Sequence, residues 1–377
     1  MHYLDHNATS PLRDESRAAM EHALLVGGNP SSVHGRGREA RATLERARDQ
    51  VAALVGARAQ DVIFTSGGTE ANTLALWGAV QGAAEAGARI TRLFVSAVEH
   101  DSVMANATAL AERVAGLRLE IIPVTIQGTI DLEALRVLLR EGKGRALVAV
   151  MAANNETGVI QPLAEVAALL KDHEGYLLVD AVQAAGKIDF NIVSDYVALS
   201  AHKLGGPQGA GALIVRDGAP LAATILGGGQ ERGRRAGTEN VAGIAGFGAA
   251  ASVATKPLST LRDRFESELK SAAHDVAIFG ASAPRLPNTS NFALPGVAAE
   301  TAVMALDLDG VMVSSGSACS SGKVRPSHVL RAMGVSEALA ACALRVSFGW
   351  NSTDADVDAA LSSISQLLSR AKARAAA

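Results

Sequence analysis

Short apolar segments alternate with longer amphipathic segments along the chain up to about residue 215. The apolar segments are too short for ordinary helices and lie at residues 62–65, 92–97, 119–124, 146–151, 176–180, 196–200 and 211–215. Most are separated by stretches in which apolar residues recur at helical spacing, such as 163–173. Strands that are apolar on both faces and alternate with helices are typical of a parallel sheet covered on both sides. The pattern therefore predicts an α/β fold with a mainly parallel central sheet.

Two departures from this alternation predict further features of the fold. The link GGPQGAG leads into residues 211–215 and is too short for a helical crossover, so that strand is predicted to be antiparallel. From about residue 251 the order changes to helices mixed with short strands, which indicates a smaller α+β domain. We therefore predict a large domain at residues 15–250, a small domain at 251–377 and an N-terminal arm at 1–14.

The composition and charge indicate a globular protein that acts on a small ligand. Hydrophobic residues make up 48% of the chain and charged residues 19%, as in ordinary folded domains, and the formal net charge is −3. Such a chain has no overall basic field for nucleic acid or an anionic membrane. No apolar stretch reaches the roughly 18 residues of a membrane span. The N-terminus lacks a basic segment followed by an apolar one, so we expect a cytoplasmic protein.

The segment FTSGGTEAN, residues 64–72, predicts either an anion site or a plain turn. An apolar strand leads into Gly67 and Gly68 and then into a helix that begins near Thr69. The first N–H groups of a helix lack partners within the helix, and the helix dipole favours negative charge there. The alternative is a strand-to-helix turn in which Thr69 is simply the N-cap residue.

Two further strands end in polar residues of complementary chemistry. Asp180 ends one apolar segment, and Gln183 follows it. Ser200 ends the next, and His202 and Lys203 follow it. Ligands bind at the carboxyl ends of parallel strands, where burial lowers the pKa of a lysine. A lysine for a Schiff base, a carboxylate for a ring nitrogen and an anion site for a phosphate together indicate pyridoxal 5′-phosphate (PLP). The alternative is that Asp180 and Lys203 merely pair across the sheet edge.

Other polar residues are candidates for the same edge of the sheet. His100 follows an apolar segment, where an imidazole could stack on a cofactor ring and move protons, although a lone histidine is also common as a structural residue. Asn154 and Asn155 follow another segment, where an amide could bond a ring oxygen or a substrate carboxylate. Arg345 lies between two apolar residues and suits a bidentate contact with a carboxylate, with a surface cation as the alternative.

The two cysteines of the chain, Cys319 and Cys342, differ in their surroundings. They lie 23 positions apart and form neither a zinc motif nor a disulfide framework. Cys342 belongs to the apolar segment ALAACALRV and is predicted to lie in the core. Cys319 belongs to SSGSACSSGKVRP, residues 314–326, and has small polar neighbours. Its thiol is therefore either incidental on a loop or placed to be reached by a reactant.

A set of motifs runs in order through almost the whole chain. It comprises LDHNAT (4–9), NPSSVH (29–34), FTSGGTEAN (64–72), EHDS (99–102), NNETG (154–158), VDAVQ (179–183), SAHKLGGPQG (200–209), RRAGTENV (234–241) and SSGSACSSG (314–322). This set resembles the cysteine desulfurases, and its SSGSAC segment is similar to that of the NifS/IscS-like branch. The resemblance implies the PLP-dependent transferase fold of type I, in the class V aminotransferase family.

The resemblance also implies how the cofactor is held. Lys203 would bind it covalently, and Asp180 would pair with the pyridinium nitrogen. Gln183 would bond the ring hydroxyl oxygen, and His100 would stack on the ring and shuttle protons. The residues implied for the phosphate are Gly68, Thr69, Ser200 and His202, together with Thr238 reaching from the partner subunit of a homodimer.

The activity implied by the resemblance is conversion of L-cysteine to L-alanine with transfer of sulfur to Cys319 as a persulfide. Asn155 and Arg345 would hold the substrate carboxylate. The sulfur would pass to an acceptor such as an iron–sulfur scaffold protein, and Cys319 would be a candidate ligand of a transient [2Fe–2S] cluster shared with that scaffold. The alternatives are a selenocysteine lyase or other PLP-dependent β-eliminating enzyme, and a non-catalytic PLP-binding protein.

Overall fold

Helices and strands alternate along the part of the chain that the structure, a computed structural model, describes: residues 1–189, 194–253, 258–315 and 327–376. The α-helices are α1 (Asp14–Val26), α2 (Gly35–Leu54), α3 (Gly68–Glu85), α4 (Asp101–Arg113), α5 (Leu132–Arg140), α6 (Leu163–Lys171), α7 (Val241–Ala251), α8 (Ser259–Ala272), α9 (Ala299–Leu308), α10 (His328–Ala332), α11 (Glu337–Ala340) and α12 (Asp354–Ala376). The strands are β1 (His2–Tyr3), β2 (Val62–Thr65), β3 (Ile90–Ser96), β4 (Arg118–Ile122), β5 (Arg145–Ala149), β6 (Gly175–Asp180), β7 (Tyr196–Ser200), β8 (Gly211–Val215), β9 (Ala277–Ile278), β10 (Thr289–Ala293), β11 (Val311–Met312), β12 (Ser314–Ser315) and β13 (Ala343–Ser347). Short 3-10 turns lie at Ala59–Asp61, Ala201–Lys203 and Gln230–Gly233.

Seven of the described strands form the central sheet, in the order β2-β8-β7-β6-β5-β3-β4. The pairs among β7, β6, β5, β3 and β4 are parallel, whereas β8 is antiparallel to both of its neighbours, β7 and β2. The α/β fold with a mainly parallel sheet is therefore confirmed. The antiparallel strand is the one that the short glycine-rich link predicts, and it pairs Ser200 with Gly211 at the turn.

Apolar side chains cover both faces of this sheet. Along β5, Leu147 packs in one buried cluster with residues of α3 and α4, and Val148 packs in another with residues of α2 and α7. Both side chains are fully buried. Burial of a side chain of this size contributes about 1.5–3 kcal/mol to folding, so continuous apolar strands are stable only when both faces are covered. The short apolar segments of the sequence have this physical origin.

The C-terminal strands form a smaller antiparallel sheet in the order β12-β13-β10-β9. Phe265, Phe292 and Phe348 pack beside it in a separate buried cluster that also contains Leu4 of the N-terminal arm. The arm begins by pairing β1 with β11 in parallel. It then continues to the central sheet, where the backbone N–H of Ser10 donates to His202 O. The arm thus connects the two sheets, while the domain boundaries given above remain predictions.

A buried ion pair holds the glycine-rich segment that precedes α7. Glu231 accepts two hydrogen bonds from the guanidinium of Arg48, at 2.7 and 2.9 Å, and a third from the N–H of Phe64. Both charged side chains are almost fully buried. Glu231 and the following Arg232 have φ angles of 46° and 59°, a region that non-glycine residues rarely adopt. Contacts of this kind compensate for local backbone strain.

Among the helices of the described residues, none has the length and apolar character needed to cross a membrane.

The substitution Glu231→Gln is expected to lower the free energy of unfolding by about 3 kcal/mol, because it removes the buried countercharge of Arg48 and leaves only the more exposed Glu45 as an ion-pair partner. Urea denaturation followed by circular dichroism measures the change. Glu21→Gln is the control, since Glu21 pairs with Arg17 on the exposed face of α1 and its loss should have little effect. Equal stability of the two variants would contradict the role given to the Arg48–Glu231 pair.

Candidate active site

A cavity of about 470 Å³ lies at the carboxyl edge of the central sheet. Its walls come from the ends of the parallel strands, from the N-terminal arm and from the C-terminal sheet. The structure brings together most of the site residues predicted from the sequence. Those that line the cavity are Gly68, Thr69, His100, Asn155, Asp180, Gln183, Ser200, His202, Lys203 and Arg345.

Lys203 ends the 3-10 turn that follows β7, and its amine reaches back to the N-terminal arm. Its Nζ donates to the backbone oxygens of Asn7 and Ala8, both at 2.7 Å. Burial, with a smaller effect of Arg345, lowers the pKa of Lys203 to about 8, although two nearby carboxylates oppose the shift. A lysine with this pKa is uncharged in an appreciable fraction of molecules near neutral pH and can act as a nucleophile or base.

Asp180, at the end of β6, is held by two donors. The backbone N–H of Val182 donates to Oδ1 at 3.0 Å, and Nδ2 of Asn72 donates to Oδ2 at 2.8 Å. Within the described part of the chain, Asp180 and Lys203 form no ion pair with each other, so the alternative of a simple pair across the sheet edge is wrong. Both groups instead line the cavity separately, where a ligand can lie between them.

His100 both begins a helix and lines the cavity. It is the N-cap residue of α4, and its Nδ1 accepts a hydrogen bond from the backbone N–H of Ser102 at 3.0 Å. The hydroxyl of Ser102 lies 2.8 Å from the same nitrogen. Nδ2 of Asn72 lies 3.0 Å from that hydroxyl, so a continuous line of hydrogen bonds joins His100 to Asp180. His100 therefore has a structural role as a helix cap, while its functional role at the cavity stays a prediction.

The start of α3 has the features of a phosphate site. Gly67 is the N-cap residue and provides no side-chain cap, and the helix begins at Gly68, so the alternative in which Thr69 is the N-cap is wrong. A Cβ atom at Gly68 would lie 2.7 Å from Cγ2 of Val182, which explains why glycine is needed there. The residues that share this part of the cleft include Thr69, Ser200 and His202. The partnerless N–H groups of the helix suit an anion.

His202 completes this anion site as an uncharged imidazole. Burial, with a smaller effect of Lys203, lowers its pKa to about 4. Its Nδ1 lies 3.1 Å from the Thr9 hydroxyl of the N-terminal arm. A neutral imidazole can donate one hydrogen bond to a phosphate without adding a full positive charge.

Asn7 of the N-terminal arm holds several residues of the cavity at once. Its backbone oxygen accepts from Lys203 and from Nε2 of Gln183, the latter at 2.9 Å. Its side-chain oxygen accepts from Nζ of Lys187 at 2.9 Å. Lys187 also donates to Oε1 of Gln183 at 2.8 Å, which fixes the orientation of that amide. Burial, with smaller effects of Lys203 and Arg345, lowers the pKa of Lys187 well below its usual value.

Arg345 extends from β13 of the C-terminal sheet into the other end of the cavity. Its guanidinium donates to Oδ1 of Asp5 at 2.6 Å and to the backbone oxygen of Asn155 at 3.0 Å. It is buried, so the alternative of a surface cation is wrong, and its Nε has no partner among the described residues. An arginine with unused donors beside an asparagine suits a ligand carboxylate.

Asn154 and Asn155 have different roles. The side chain of Asn154 accepts from the N–H groups of Glu156 and Thr157 and donates to Val98 O, so it shapes the loop after β5. Asn155 is the one that lines the cavity.

These residues fit PLP. An uncapped helix start with a close-packed glycine suits its phosphate, and the Asp180 carboxylate suits a pyridinium nitrogen. A lysine with a lowered pKa suits its aldehyde, and the Arg345 guanidinium at the cavity wall suits a substrate carboxylate. Each group needed by the cofactor therefore has a counterpart in the cavity.

One of the predicted site residues that the structure describes does not line this cavity. Thr238 lines another cleft with Arg235 and Phe64. Cys319 lies outside the described residues, and so does the candidate cluster site that it represents. Cys342 is buried, so its assignment to the core is confirmed. Among the described residues, no group of histidine, cysteine or acidic side chains is arranged to bind a metal ion.

The sequence interpretation missed Asn7, Asn72, Ser102 and Lys187 as parts of the site. Three of them lie within the motifs quoted above, but the motifs alone do not say which positions face the cavity. For Asn72 a signal was present, because it is a polar residue among Ala71, Leu74 and Ala75 on the buried face of α3. A buried asparagine needs hydrogen-bond partners, and such a need points to a site.

Comparisons with known proteins agree with this geometry. The family profile "Aminotransferase class-V" matches residues 2–360. A cysteine desulfurase IscS of Dictyoglomus turgidum is 40% identical over 98% of this chain and 94% of its own length. A NifS-like protein from Rickettsia africae superimposes with a TM-score of 0.87 at 34% identity, over 98% of this chain and 99% of that chain. The structure of SspA in complex with cysteine superimposes with a TM-score of 0.81 at 28% identity, over 94% and 100% of the two chains.

The lowered pKa of Lys203 predicts how the reaction rate of its amine depends on pH. Reductive methylation of the cofactor-free protein should reach half its maximal rate at Lys203 near pH 8, whereas an ordinary lysine side chain has a pKa of 10.5. The midpoint lies at lower pH because the neutral amine is the nucleophile, and a lower pKa makes the neutral form available at lower pH. Mass spectrometry of the Lys203 peptide measures the rate, with N-acetyl-lysine amide as the reference. A midpoint near that of the reference would contradict the effect of burial.

Proposed function

This chain belongs to the aminotransferase class-V family, and from this premise we infer that it is a PLP-dependent cysteine desulfurase that converts L-cysteine to L-alanine. The observation that carries the inference is the convergence of Lys203, Asp180 and Arg345 on one cavity from three different strands or their ends. A Schiff-base lysine, a partner for the ring nitrogen and a carboxylate ligand are the groups that an amino-acid substrate and PLP require together.

The finer assignment of the cofactor contacts is part of the proposal. Lys203 binds PLP covalently, Asp180 accepts from the ring nitrogen, and Gln183 and His100 contact the ring. The phosphate is held by Gly68, Thr69, Ser200 and His202. When bound, PLP supplies an electron-poor ring that stabilises negative charge at the substrate Cα.

The side chains of the protein bind and orient the substrate and move its protons. Arg345 and Asn155 hold the substrate carboxylate, and the Asp5 carboxylate keeps the guanidinium in place from the opposite side. Lys203, whose pKa is lowered to about 8, takes the Cα proton in its neutral form. The backbone oxygens of Asn7 and Ala8 accept hydrogen bonds from the amine of Lys203 and hold it at the cavity when it is not bound to the cofactor.

Cys319 is the proposed acceptor of the sulfur. Its thiolate attacks the substrate sulfur, the Cβ–S bond breaks, and Cβ takes up a proton. The atoms balance, because L-cysteine and one thiol give L-alanine and one persulfide. Supporting this role, Ser314 lines the cavity and precedes Cys319 by five positions, a length of chain that spans at most about 18 Å.

The proposed partners are a second copy of this chain and a sulfur acceptor. In the homodimer, Thr238 completes the phosphate site of the partner subunit. Thr238 does not line the cavity of its own chain, but its cleft shares Ser66 and Gly209 with the cleft at the start of α3, so the role in trans is proposed on the resemblance alone. The persulfide sulfur is passed to a protein such as an iron–sulfur scaffold, with Cys319 as a candidate ligand of a transient [2Fe–2S] cluster.

The substitution Cys319→Ser tests the desulfurase assignment. We expect the variant to bind PLP with an unchanged visible spectrum and to bind L-cysteine, but to release sulfide only at background level in the presence of a reductant. Cys342→Ser is the control, because Cys342 is buried in the C-terminal core and its thiol has no role in the reaction. Sulfide release by Cys319→Ser at the wild-type rate would exclude the persulfide step.

A heterodimer of Lys203→Ala and Thr238→Ala subunits tests whether Thr238 acts in trans. If it does, the site containing the intact Lys203 also receives the intact Thr238, and up to half of the wild-type activity should return. The two variants are co-expressed with different tags, the mixed dimer is purified, and desulfurase activity is compared with each parent homodimer. An activity no higher than that of the parents would place Thr238 in its own subunit's site, or give it no role.

A further inference from the structure

The hydrogen bonds that join His100 to Asp180 run through Asn72 and Ser102, two residues without an assigned role. We propose that Asn72 and Ser102 are positioning residues that fix the imidazole of His100 as its Nε2–H tautomer. Nε2 is then the ring nitrogen left to donate to a ligand in the cavity. The catalytic meaning of this arrangement rests on the proposed function, whereas the tautomer itself follows from the contacts within the protein.

The direction of the hydrogen bonds of Asn72 follows from the carboxylate at one end. Oδ2 of Asp180 can only accept, so Nδ2 of Asn72 donates to it over 2.8 Å. The second hydrogen of the same amide nitrogen points to Oγ of Ser102 over 3.0 Å. Oγ of Ser102 also lies 2.8 Å from Nδ1 of His100, and a hydroxyl with two acceptor sites can either donate or accept there. The direction at Nδ1 is decided by the backbone.

A backbone donor reaches the same ring nitrogen from the start of α4. The backbone N–H of Ser102 donates to Nδ1 of His100 over 3.0 Å as the helix cap. A hydrogen on Nδ1 would face the N–H hydrogen of Ser102, a group that can only donate. The neutral ring therefore carries its hydrogen on Nε2, since the hydrogen bond at one ring nitrogen decides the state of the other.

Burial makes this arrangement difficult to replace with water. Asp180, Asn72 and Ser102 are each more than nine-tenths buried. Oδ1 of Asn72 has no partner among the described residues, which is unfavourable for a buried amide. The flipped amide would be worse, because it would place that oxygen against the Asp180 carboxylate. The orientation of the amide is therefore set by the two hydrogen bonds that its nitrogen donates, to Asp180 and to Ser102.

The proposal limits what His100 can do in the reaction. With Nδ1 occupied by the backbone N–H of Ser102, this nitrogen is unavailable as a base unless the cap of α4 opens. The ring can instead present Nε2–H as a fixed donor on the side of the cavity. The proton of the substrate Cα is then left to Lys203, and His100 acts through hydrogen bonding at the place where negative charge develops.

Nitrogen NMR of the full chain labelled with 15N-histidine tests the tautomer directly, with and without PLP. The His100 signals are identified by their loss in His100→Gln. In the wild-type protein we expect Nδ1 at the shift of an unprotonated nitrogen and Nε2 at that of a protonated one. In Asn72→Leu and Ser102→Ala we expect the signals to move only part of the way toward a mixture of both tautomers, because the backbone N–H of Ser102 still donates to Nδ1. Thr108→Ala is the matched control, because it removes a hydroxyl from the exposed face of the same helix.

The same variants are assayed as holoenzymes. Ser102→Ala is expected to lower kcat about tenfold, the scale of one lost hydrogen bond to a buried group, with little change in PLP affinity. A wild-type spectrum with the hydrogen on Nδ1 would overturn the proposal even if a variant failed to fold. Unchanged tautomer signals in both variants would also overturn it. The tautomer measurement does not depend on desulfurase activity, so a failure of the proposed function would be recognised separately.

Discussion

The hydrogen bonds of Asn7 hold the cavity together. Its backbone oxygen accepts from Lys203 and Gln183, and its side-chain oxygen accepts from Lys187 and Asn288. Its side-chain nitrogen donates to Asn155 O and to the Thr289 hydroxyl. The residue is buried, so water cannot replace these contacts. One asparagine therefore sets the distance between a lysine of the central sheet and the strands of the C-terminal sheet.

Several ionisable side chains surround Asn7, and burial shifts the pKa of most of them toward the neutral form. Burial, reinforced by Asp180, raises the pKa of Glu99, the neighbour of His100, well above its usual value. Burial lowers the pKa of Lys187 well below its usual value and that of His202 to about 4, so the imidazole of His202 is neutral near pH 7. At the two ends of the cavity lie the Asp180 carboxylate and the Asp5–Arg345 ion pair. A cofactor cation and a substrate anion have complementary partners in Asp180 and Arg345.

Much of the fold and part of the site could be predicted from the sequence. The strands of the central sheet are recognisable because both of their faces are buried, and the glycine-rich link correctly predicts the antiparallel β8. Lys203 and Asp180 stand out because each follows an apolar strand. Asn7 and Ser102 could not be assigned in this way, since their roles depend on partners that are distant in sequence or on a helix cap. The separate functions of Asn154 and Asn155 could not be predicted either, because the sequence of two adjacent identical residues does not indicate which side chain faces the cavity.

The pairing of the N-terminal arm with the last strands has a consequence for biosynthesis. The backbone N–H of Asn7 donates to the Ser347 hydroxyl, a contact between residues 340 positions apart. Parallel strands and helices of the central sheet can form while the rest of the chain is still being made, but contacts of such separation close late. A nascent chain that ends before β13 already contains Lys203, Asp180 and His100, yet it lacks the strand that holds Asn7 in place. The contact between Asn7 and β13 can therefore form only after this strand, the last of the described strands, has left the ribosome.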